Sequence, residues 1–207
     1  LLSLVTPGEE RSGSNVPGVL LAVSGGVDSM TMAHLFHSIG YNNFSVATVN
    51  FSLRGEESDG DMILVQDWCR ERGINCYSTR FDTESYAREK GISTQMAARD
   101  LRYGWFSRLC IDNGFAYLAV AHNLNDKIET LFINLLRGTG IKGLSSIKES
   151  SNPAGFEMSV IRPLIEFSRE EILNYSESEG IPFRHDRTNF ESHYSRNKIR
   201  NQVFPVF

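Results

Sequence analysis

Cysteines and long apolar runs are scarce in this sequence. Its 207 residues contain three cysteines, Cys69, Cys76 and Cys110, and no CxxC pair. The odd number argues against a disulfide framework or a zinc site, so we expect small buried thiols in a cytoplasmic protein. No run of about 18 apolar residues occurs, and residues 1–7 lack the basic start of a signal peptide. We therefore expect neither a membrane span nor a targeting segment.

An excess of charge of either sign is also missing. The chain has 21 Lys and Arg residues against 25 Asp and Glu residues, a formal net charge of -4, and 41% of its residues are hydrophobic. This composition is ordinary for a globular domain and excludes intrinsic disorder. The mild acidity argues against a self-sufficient nucleic-acid binder, because such domains are usually basic.

Short apolar segments alternate with helical patterns along the chain. The predicted strands are 19–23, 44–49, 74–79, 115–121 and 158–164, and the predicted helices are 29–39, 59–72, 94–113, 125–137 and 168–179. Such alternation indicates parallel βαβ units with right-handed crossovers. We predict a doubly wound, Rossmann-like α/β fold: a mostly parallel five-stranded sheet with helices on both faces, followed by a short helical segment.

The C-terminal part of the chain is more polar than the rest. Ser168 is a predicted helix N-cap, with Glu171 at the capping-box position. Between residues 184 and 200, five basic residues outnumber two acidic ones. Such a stretch is typical of either a phosphate contact or a solvated helix. The predicted division of the chain is an N-terminal loop 1–18, a sheet domain 19–166 and a helical extension 167–207.

The segment Ser24–Ser29 (SGGVDS) joins a predicted buried strand to a predicted helix. Its two glycines let the backbone approach an anion, and the N–H groups at the helix start favour negative charge. The segment lacks the lysine of a Walker loop. Asp28 would repel a bare phosphate and suits Mg²⁺ or a ligand hydroxyl or amine. The pattern predicts a polyphosphate site; an ordinary turn in which Asp28 caps the helix is the alternative.

A second glycine-rich segment, Gly138–Gly143, matches GxGxxG. It follows a helical pattern, whereas a dinucleotide-binding loop follows a strand. We interpret it as a helix C-cap followed by a turn.

The SGGVDS segment resembles the pyrophosphate loop of the N-type ATP pyrophosphatases. The resemblance implies an adenine nucleotide alpha hydrolase-like fold that splits ATP into AMP and pyrophosphate while adenylating an oxygen. Four further segments resemble the family of tRNA(Ile) lysidine synthetases over nearly the whole chain from Val19 to Pro205. These segments are Val49–Asp59, Ala97–Tyr103, Ala121–Thr130 continuing into Leu135–Leu144, and Ile161–Leu164 followed by Asp186–Asn189 and Tyr194–Arg200.

Membership of that family would imply a defined reaction. ATP adenylates the C2 oxygen of the wobble cytidine of tRNA(Ile) and pyrophosphate leaves. The ε-amino group of free L-lysine then attacks C2 and displaces AMP, which forms lysidine. The implied cofactors are ATP and Mg²⁺, and the implied partners are tRNA(Ile) with a wobble cytidine and L-lysine. A homodimer is one assembly that the sequence leaves open.

Two helical pairs carry the charges that such chemistry requires. Arg99 and Arg102 lie three residues apart, hence on one helix face, and suit a phosphate or the substrate base; two solvated arginines are the alternative. Asp126 and Glu129 are also three apart, on a helix that follows a strand end, so we expect both to face the cleft. Paired carboxylates suit a lysine ammonium group, Mg²⁺ or proton removal. We expect neither Asp28 nor Glu129 to belong to the core.

The resemblance implies four groups of site residues. Catalytic roles fall to Asp28, Arg99, Asp126 and Glu129. ATP binding falls to Ser24, Gly25, Gly26, Val27, Asp28, Ser29, Asn50, Arg102, His122 and Gly138. Contacts with the substrate or tRNA fall to Arg54, Arg137, Arg196 and Arg200, and the metal ligand is Asp28.

Three positions depart from the family pattern. The family usually has histidines at positions 50 and 123, where this chain has Asn50 and Asn123, and an aspartate where it has Asn125. One carboxylate and two imidazoles are therefore missing. His122 suits an ATP or base contact, with a core histidine as the alternative.

Two other functional hypotheses follow from these features. A tRNA thiolase or amidotransferase of the same superfamily would normally need cysteine pairs or an N-terminal nucleophile, and neither is present. A non-catalytic nucleotide-binding module would bind ATP without forming AMP. Lysidine synthetases also continue into C-terminal tRNA-binding domains, so the resemblance implies that this chain is the catalytic part and binds tRNA weakly by itself.

Overall fold

We describe the fold from a computed structural model, which covers residues 16–138, 147–153, 155–156 and 158–184. Its strands are β1 (Val19–Ala22), β2 (Phe44–Asn50), β3 (Cys76–Arg80), β4 (Tyr117–Val120), β5 (Ser150–Ser151) and β6 (Ser159–Ile161). They form one sheet in the order β3-β2-β1-β4-β6-β5. The strand pairs β3–β2, β2–β1, β1–β4 and β4–β6 are parallel, and the edge pair β6–β5 is antiparallel.

Helices connect the parallel strands. They are α1 (Val27–Ser38), α2 (Glu56–Glu71), α3 (Thr83–Lys90), α4 (Thr94–Asn113), α5 (Leu124–Leu136) and α6 (Arg169–Ser178). None of the helices in the described ranges is long and apolar enough to cross a lipid bilayer.

The central strands β1, β2 and β4 are largely buried because helices cover the sheet on both faces, and β1 and β4 are correspondingly apolar. The edge strands β3 and β5 are more exposed. Leu21 and Val46 face a core that includes Met30, Phe36 and Trp68. Successive strand residues point to opposite faces, so the neighbouring Leu20 and Ala47 face a second core formed mainly with α4. The helices therefore cover the sheet on both sides, as a doubly wound fold requires.

The chain direction across the sheet reverses between β1 and β4. From β1 the chain proceeds through β2 to β3 at one edge, and it then returns to β4 on the other side of β1. In an open α/β sheet the crevice at the carboxyl ends of two such strands is the usual ligand site. The loops after Ala22 and Val120 thus flank the expected position.

The predicted α/β class and its five strands are confirmed, with element ends within three residues of the predicted ones. The predicted capping box of Ser168 and Glu171 is also present. Across the described ranges the sheet has six strands instead of five, because the two-residue β5 is too short to show a periodic pattern. Helix α3 was also absent from the prediction, since its eight polar-rich residues lack an apolar stripe.

Candidate functional site

A cleft of about 670 Å³ opens at the carboxyl ends of β1 and β4. One wall is the SGGVDS loop with the start of α5 beside it, and the opposite wall comes from α4. The walls combine apolar strand ends with charged side chains of both signs. The residues used below that line this cleft are Ser24, Gly26, Val27, Asp28, Ser29, Phe51, Arg102, Tyr103, His122, Asp126, Phe183 and Arg184.

The SGGVDS loop has the geometry of an anion site. Gly25 has φ +88°, a conformation that favours glycine. Gly26 is the N-cap of α1, and no side chain of the described residues caps that helix end. The Ser29 hydroxyl donates to the Gly26 carbonyl at 3.0 Å and accepts the Ser24 N–H at 3.1 Å, which fixes the turn. The N–H groups of the first helical turn can therefore receive a phosphate.

Asn123 connects the two predicted carboxylates of the cleft. Its side-chain amide donates to the Asp28 carboxylate at 3.3 Å. It also caps α5: its carbonyl oxygen accepts the Asp126 N–H at 3.0 Å, and the Asp126 carboxylate accepts the Asn123 N–H at 3.1 Å. Asp28 and Asp126 are thus placed on the same cleft by one buried amide. The asparagine that departs from the family pattern has a defined structural role.

Glu129 lies deeper than expected. Its side chain is fully buried, with 0% exposure, so the expectation that it stands outside the core is wrong. Glu129 follows Asp126 by three residues, so the two side chains lie on the same helix face. Glu129 is one turn further from the helix start and from the solvent. A buried carboxylate requires partners, so its removal will affect the fold as well as the site.

Arg102 belongs to the cleft wall, whereas Arg99 lies outside it. The Tyr103 ring is shared by both: the guanidinium of Arg99 lies 4.7 Å from the ring centroid and that of Arg102 lies 5.4 Å away. Burial lowers the pKa of Arg102, and the nearby Arg99 charge lowers it further, although Tyr103 opposes the shift. Arg99 is exposed on the same helix. The paired arginines share one aromatic platform, and only Arg102 lines the cleft.

His122 lies two residues after the end of β4, lines the cleft and accepts a hydrogen bond from an arginine. Arg162 Nε donates to His122 Nδ1 at 3.3 Å, and another of its nitrogens donates to the Lys148 carbonyl at 2.9 Å and to Ser151 at 3.0 Å. Desolvation lowers the pKa of Arg162. His122 Nδ1 is thus the acceptor of the hydrogen bond from Arg162. His122 is a half-buried cleft residue whose ring is held by Arg162.

The other two asparagine departures also have structural partners. The Asn50 amide donates to Asp59 at 2.6 Å, and its carbonyl oxygen accepts the Ser52 N–H at 2.8 Å. The Asn125 carbonyl oxygen accepts the Arg169 N–H at 2.9 Å and so satisfies the start of α6. Asn50 is almost fully buried and is not among the cleft-lining residues.

An ion bridge borders the glycine loop. Asp61 on α2 accepts from Arg54 at 2.8 Å and from Arg184 at 2.9 Å. Arg54 was predicted to contact the substrate, and the structure places it against this carboxylate. Arg184 and Phe183 line the cleft from the segment that follows α6.

The remaining predicted site residues lie apart from the cleft or outside the described ranges. Arg137 is the exposed C-cap of α5. Gly138 follows it with φ +65°, the left-handed conformation that commonly ends a helix. Neither lines the cleft. Arg196 and Arg200 lie outside the described residues, as do residues 139–143 of the second glycine segment.

Several residues in or beside the cleft were not predicted as site residues. Tyr103 and Arg162 were present in the quoted segments, but their types alone gave no reason to choose them over neighbouring residues. Arg184 was noted only as part of the basic stretch between residues 184 and 200. Asp61 and Phe183 carried no signal, because α2 and the segment after α6 meet the glycine loop only through the tertiary structure.

These features define a nucleotide-binding α/β domain: an open parallel sheet, a cleft at its switch point and a glycine loop that leads into a helix. Residues 5–207 match the family model of the PP-loop domain. The chain therefore belongs to the PP-loop family of ATP-binding domains.

Curated relatives with similar sequences carry the name tRNA(Ile)-lysidine synthase. The protein of Bacteroides thetaiotaomicron is 43% identical over 91% of this chain and 42% of its own length. That of Chlorobaculum tepidum is 42% identical over 93% of this chain and 57% of its own length. The Bacillus subtilis protein is 34% identical over 90% of this chain and 40% of its own length. The chain thus spans between 40% and 57% of the length of these relatives.

Solved structures with the same fold have more distant sequences. The U34-tRNA thiolase NcsA of Methanococcus maripaludis superposes with a TM-score of 0.74 at 21% identity, over 93% of this chain and 67% of that one. The NH3-dependent NAD synthetase of Campylobacter jejuni superposes with a TM-score of 0.51 at 14% identity, over 91% of this chain and 74% of that one. These likenesses support the fold and nothing finer.

Proposed function

We propose that this chain is the ATP-binding catalytic part of a tRNA(Ile)-lysidine synthase. The observation that carries the proposal is the cleft itself, where the glycine loop, Asp28 and Asp126 meet at one switch point. The names of the relatives support the choice of reaction within the PP-loop family. The reaction would consume ATP, the wobble cytidine of tRNA(Ile) and L-lysine, and it would release AMP and pyrophosphate.

The triphosphate would lie on the glycine loop. The first-turn N–H groups of α1 and the Ser24 hydroxyl would donate to the leaving pyrophosphate, and Arg102 on the opposite wall would offset its charge. The cytidine C2 oxygen would attack the α-phosphorus, so that its bond to phosphorus forms as the bond to pyrophosphate breaks. The apolar strand ends between the two walls suit a flat base.

Lysine would bind beside the carboxylates at the start of α5. Asp126 lines the cleft, and its charge suits the lysine ammonium group. A carboxylate at this place would accept the proton that the ε-amino group loses when it attacks C2. The C2–oxygen bond then breaks and AMP leaves with that oxygen. Glu129, one turn deeper, would support this corner of the cleft from the interior.

Magnesium fits the donors that are present. Mg²⁺ takes one or two carboxylates together with phosphate oxygens, and Asp28 supplies such a carboxylate beside the loop. When bound, the ion would neutralise the charge of the pyrophosphate leaving group. The amide of Asn123 holds one Asp28 oxygen, which fixes the direction in which the carboxylate presents its other lone pairs.

The test is an assay of the protein that carries this chain, with ATP, L-lysine and tRNA(Ile) supplied together or with one omitted. We expect pyrophosphate release and lysine-containing tRNA only when all three are present. Full turnover without lysine would contradict the proposal. ATP binding with no AMP under any condition would favour the non-catalytic module instead.

A thiolase function is disfavoured by where the cysteines lie. Cys69 and Cys110 are in the last turns of α2 and α4, and Cys76 begins β3, so all three are near the amino ends of the strands, opposite the cleft. Burial raises the pKa of Cys110 to about 11. A reactive thiol would need to reach the carboxyl ends as a thiolate. Cluster-binding or sulfur-transfer chemistry at the cleft has no support in these positions.

A further inference from the structure

Asp61 has no role in the site as described so far, although it lies directly behind the glycine loop. It is in the second turn of α2, and its side chain is 16% exposed. Its two carboxylate oxygens are used separately: one accepts from Arg54 and the other from Arg184. A carboxylate that joins two guanidinium groups from distant parts of the chain fixes both of them.

Arg184 in turn controls a peptide of the glycine loop. Its backbone N–H donates to the Gly25 carbonyl at 3.0 Å. In a trans peptide the C=O and the following N–H point in opposite directions, so this bond turns the Gly26 N–H away from Arg184. Gly26 lines the cleft and Gly25 does not. The backbone of Arg184 therefore sets which group of this peptide faces a phosphate.

The contact between α2, Arg184 and the loop depends on two glycines. A Cβ at Gly25 would lie 3.1 Å from the Asp61 carbonyl oxygen, and a Cβ at Gly60 would lie 2.8 Å from the Arg184 guanidinium carbon. Gly60 thus provides the space in which the guanidinium reaches Asp61. A side chain at position 60 would displace that flexible group without removing any charge.

We propose that Asp61 is a positioning residue for the pyrophosphate loop: through Arg184 it holds the Gly25 carbonyl, so that the Gly26 N–H faces the phosphates. The proposal rests on the proposed binding of ATP at this loop. Its direct structural consequence, the protection of the Arg184 N–H, does not depend on ATP.

The first test is Gly60→Ala, with Gly104→Ala as the matched control. Both are glycines inside helices, and a Cβ at Gly104 would meet no atom of the described residues within 4 Å. Each change should stabilise its helix slightly. We expect Gly60→Ala to weaken ATP binding about tenfold, which corresponds to about 1.4 kcal/mol, and Gly104→Ala to leave it unchanged. Calorimetry gives the affinity, and urea unfolding shows whether stability has fallen.

The second test is Asp61→Ala, with Asp67→Ala as the control for charge. Asp67 lies on the same helix in an exposed pair with Arg70, so both changes remove one carboxylate from α2. We expect only Asp61→Ala to accelerate hydrogen exchange of the Arg184 amide and to weaken ATP binding. Asp61→Asn, which retains one acceptor oxygen, should give intermediate values of both.

The outcomes separate this inference from the proposed function. If the unaltered protein does not bind ATP, the proposed function fails, and the exchange of the Arg184 amide still decides the role of Asp61. Equal exchange in the Asp61→Ala and Asp67→Ala variants would overturn the inference, as would equal ATP affinity in the two alanine-for-glycine variants. Parallel losses of ATP affinity and of unfolding free energy would also overturn it, because they would indicate a role in folding alone.

Discussion

At the scale of single residues, the cleft separates groups that serve the fold from groups that face a ligand. Asp28 is partly exposed and lines the cleft, whereas Glu129 is fully buried one turn below Asp126. Both are carboxylates near helix starts, and nothing in the sequence pattern indicates that one is buried and the other is not. Because their surroundings differ, substitutions at the two positions should differ in their effects on stability and activity.

The replacement Asp28→Asn removes a charge while it leaves an oxygen that can accept from Asn123. We expect AMP formation to fall by about 10²-fold or more, because the electrostatic contribution to pyrophosphate departure is lost. The unfolding free energy should stay within about 0.5 kcal/mol of its original value. The measurements are AMP production with all three substrates and urea unfolding. Near-normal turnover would show that Asp28 is not part of the machinery.

Glu129 requires a different design, because its carboxylate is buried. Glu129→Ala should lower the unfolding free energy by about 2–4 kcal/mol, since it leaves a cavity and removes the hydrogen-bonding partner of the groups that contact the carboxylate. Glu129→Gln keeps the volume and most of the hydrogen bonding, so it should be less destabilising and is the variant in which to measure AMP formation. A stable alanine variant would mean that this site can collapse without cost.

The two loop glycines should respond in opposite ways. Gly26 has φ -78°, and within the part of the chain that the structure describes a Cβ there would meet only Ser24 Oγ, at 3.7 Å. Gly26→Val should therefore fold but block ATP, because the side chain occupies the phosphate cradle. Gly25→Ala places a Cβ at φ +88° and should cost about 1–3 kcal/mol of stability. Unchanged ATP affinity of the Gly26 variant by calorimetry would contradict the cradle.

At the scale of elements, the helix starts around the cleft are interlocked. Asn123 caps α5 and reaches Asp28 of α1, and Asn125 of α5 accepts the first N–H of α6. Each cap satisfies backbone groups that the helix leaves without partners. The family departures therefore fall on residues that join elements. The Asn123 amide, for example, both donates to Asp28 and accepts the Asp126 N–H.

The capping box of α6 yields a prediction with a pH dependence. Ser168→Ala removes the hydroxyl that accepts the Glu171 N–H at 3.2 Å, and it should cost about 1 kcal/mol of stability at neutral pH. Hydrogen bonds from the Ser168 hydroxyl and N–H lower the pKa of Glu171 below its ordinary value of 4.5. Their stabilisation is therefore complete above pH 4.5 and is lost as the pH falls through the lowered pKa. Urea unfolding at several pH values should show the difference between the two proteins shrinking in acid. A constant difference would exclude the carboxylate from the box.

At the scale of the whole molecule, the charge balance bears on how the chain meets RNA. A net charge of -4 gives little long-range attraction to a phosphate backbone. Several arginines in or beside the cleft already have protein partners: Arg54 and Arg184 pair with Asp61, Arg162 donates to His122, and Arg102 lies near the ring of Tyr103. Cationic groups in and beside the cleft thus coexist with a net negative charge of the chain.

We accordingly expect residues 1–207 alone to bind tRNA(Ile) weakly. A gel-shift titration at physiological salt should give no complex at submicromolar protein, and any binding at low salt should weaken steeply as salt is added. Tight binding at physiological salt would contradict the inference from charge. The matched control is tRNA binding by a full-length relative, in which this chain would account for only 40–57% of the length.

The sequence by itself determined the class of fold, because buried parallel strands and their helices have apolar patterns that can be recognised locally. It also determined the glycine loop, since positive φ and an open helix start both leave local signals, and it placed Asp126 beside that loop. Only the tertiary structure decided that Glu129 is buried, that Arg99 lies outside the cleft while Arg102 lines it, and that Asp61 joins Arg54 to Arg184. The physical reason is that burial and ion pairing depend on which elements pack together, and contacts across 123 positions, as between Asp61 and Arg184, leave no mark on the residues nearby in sequence.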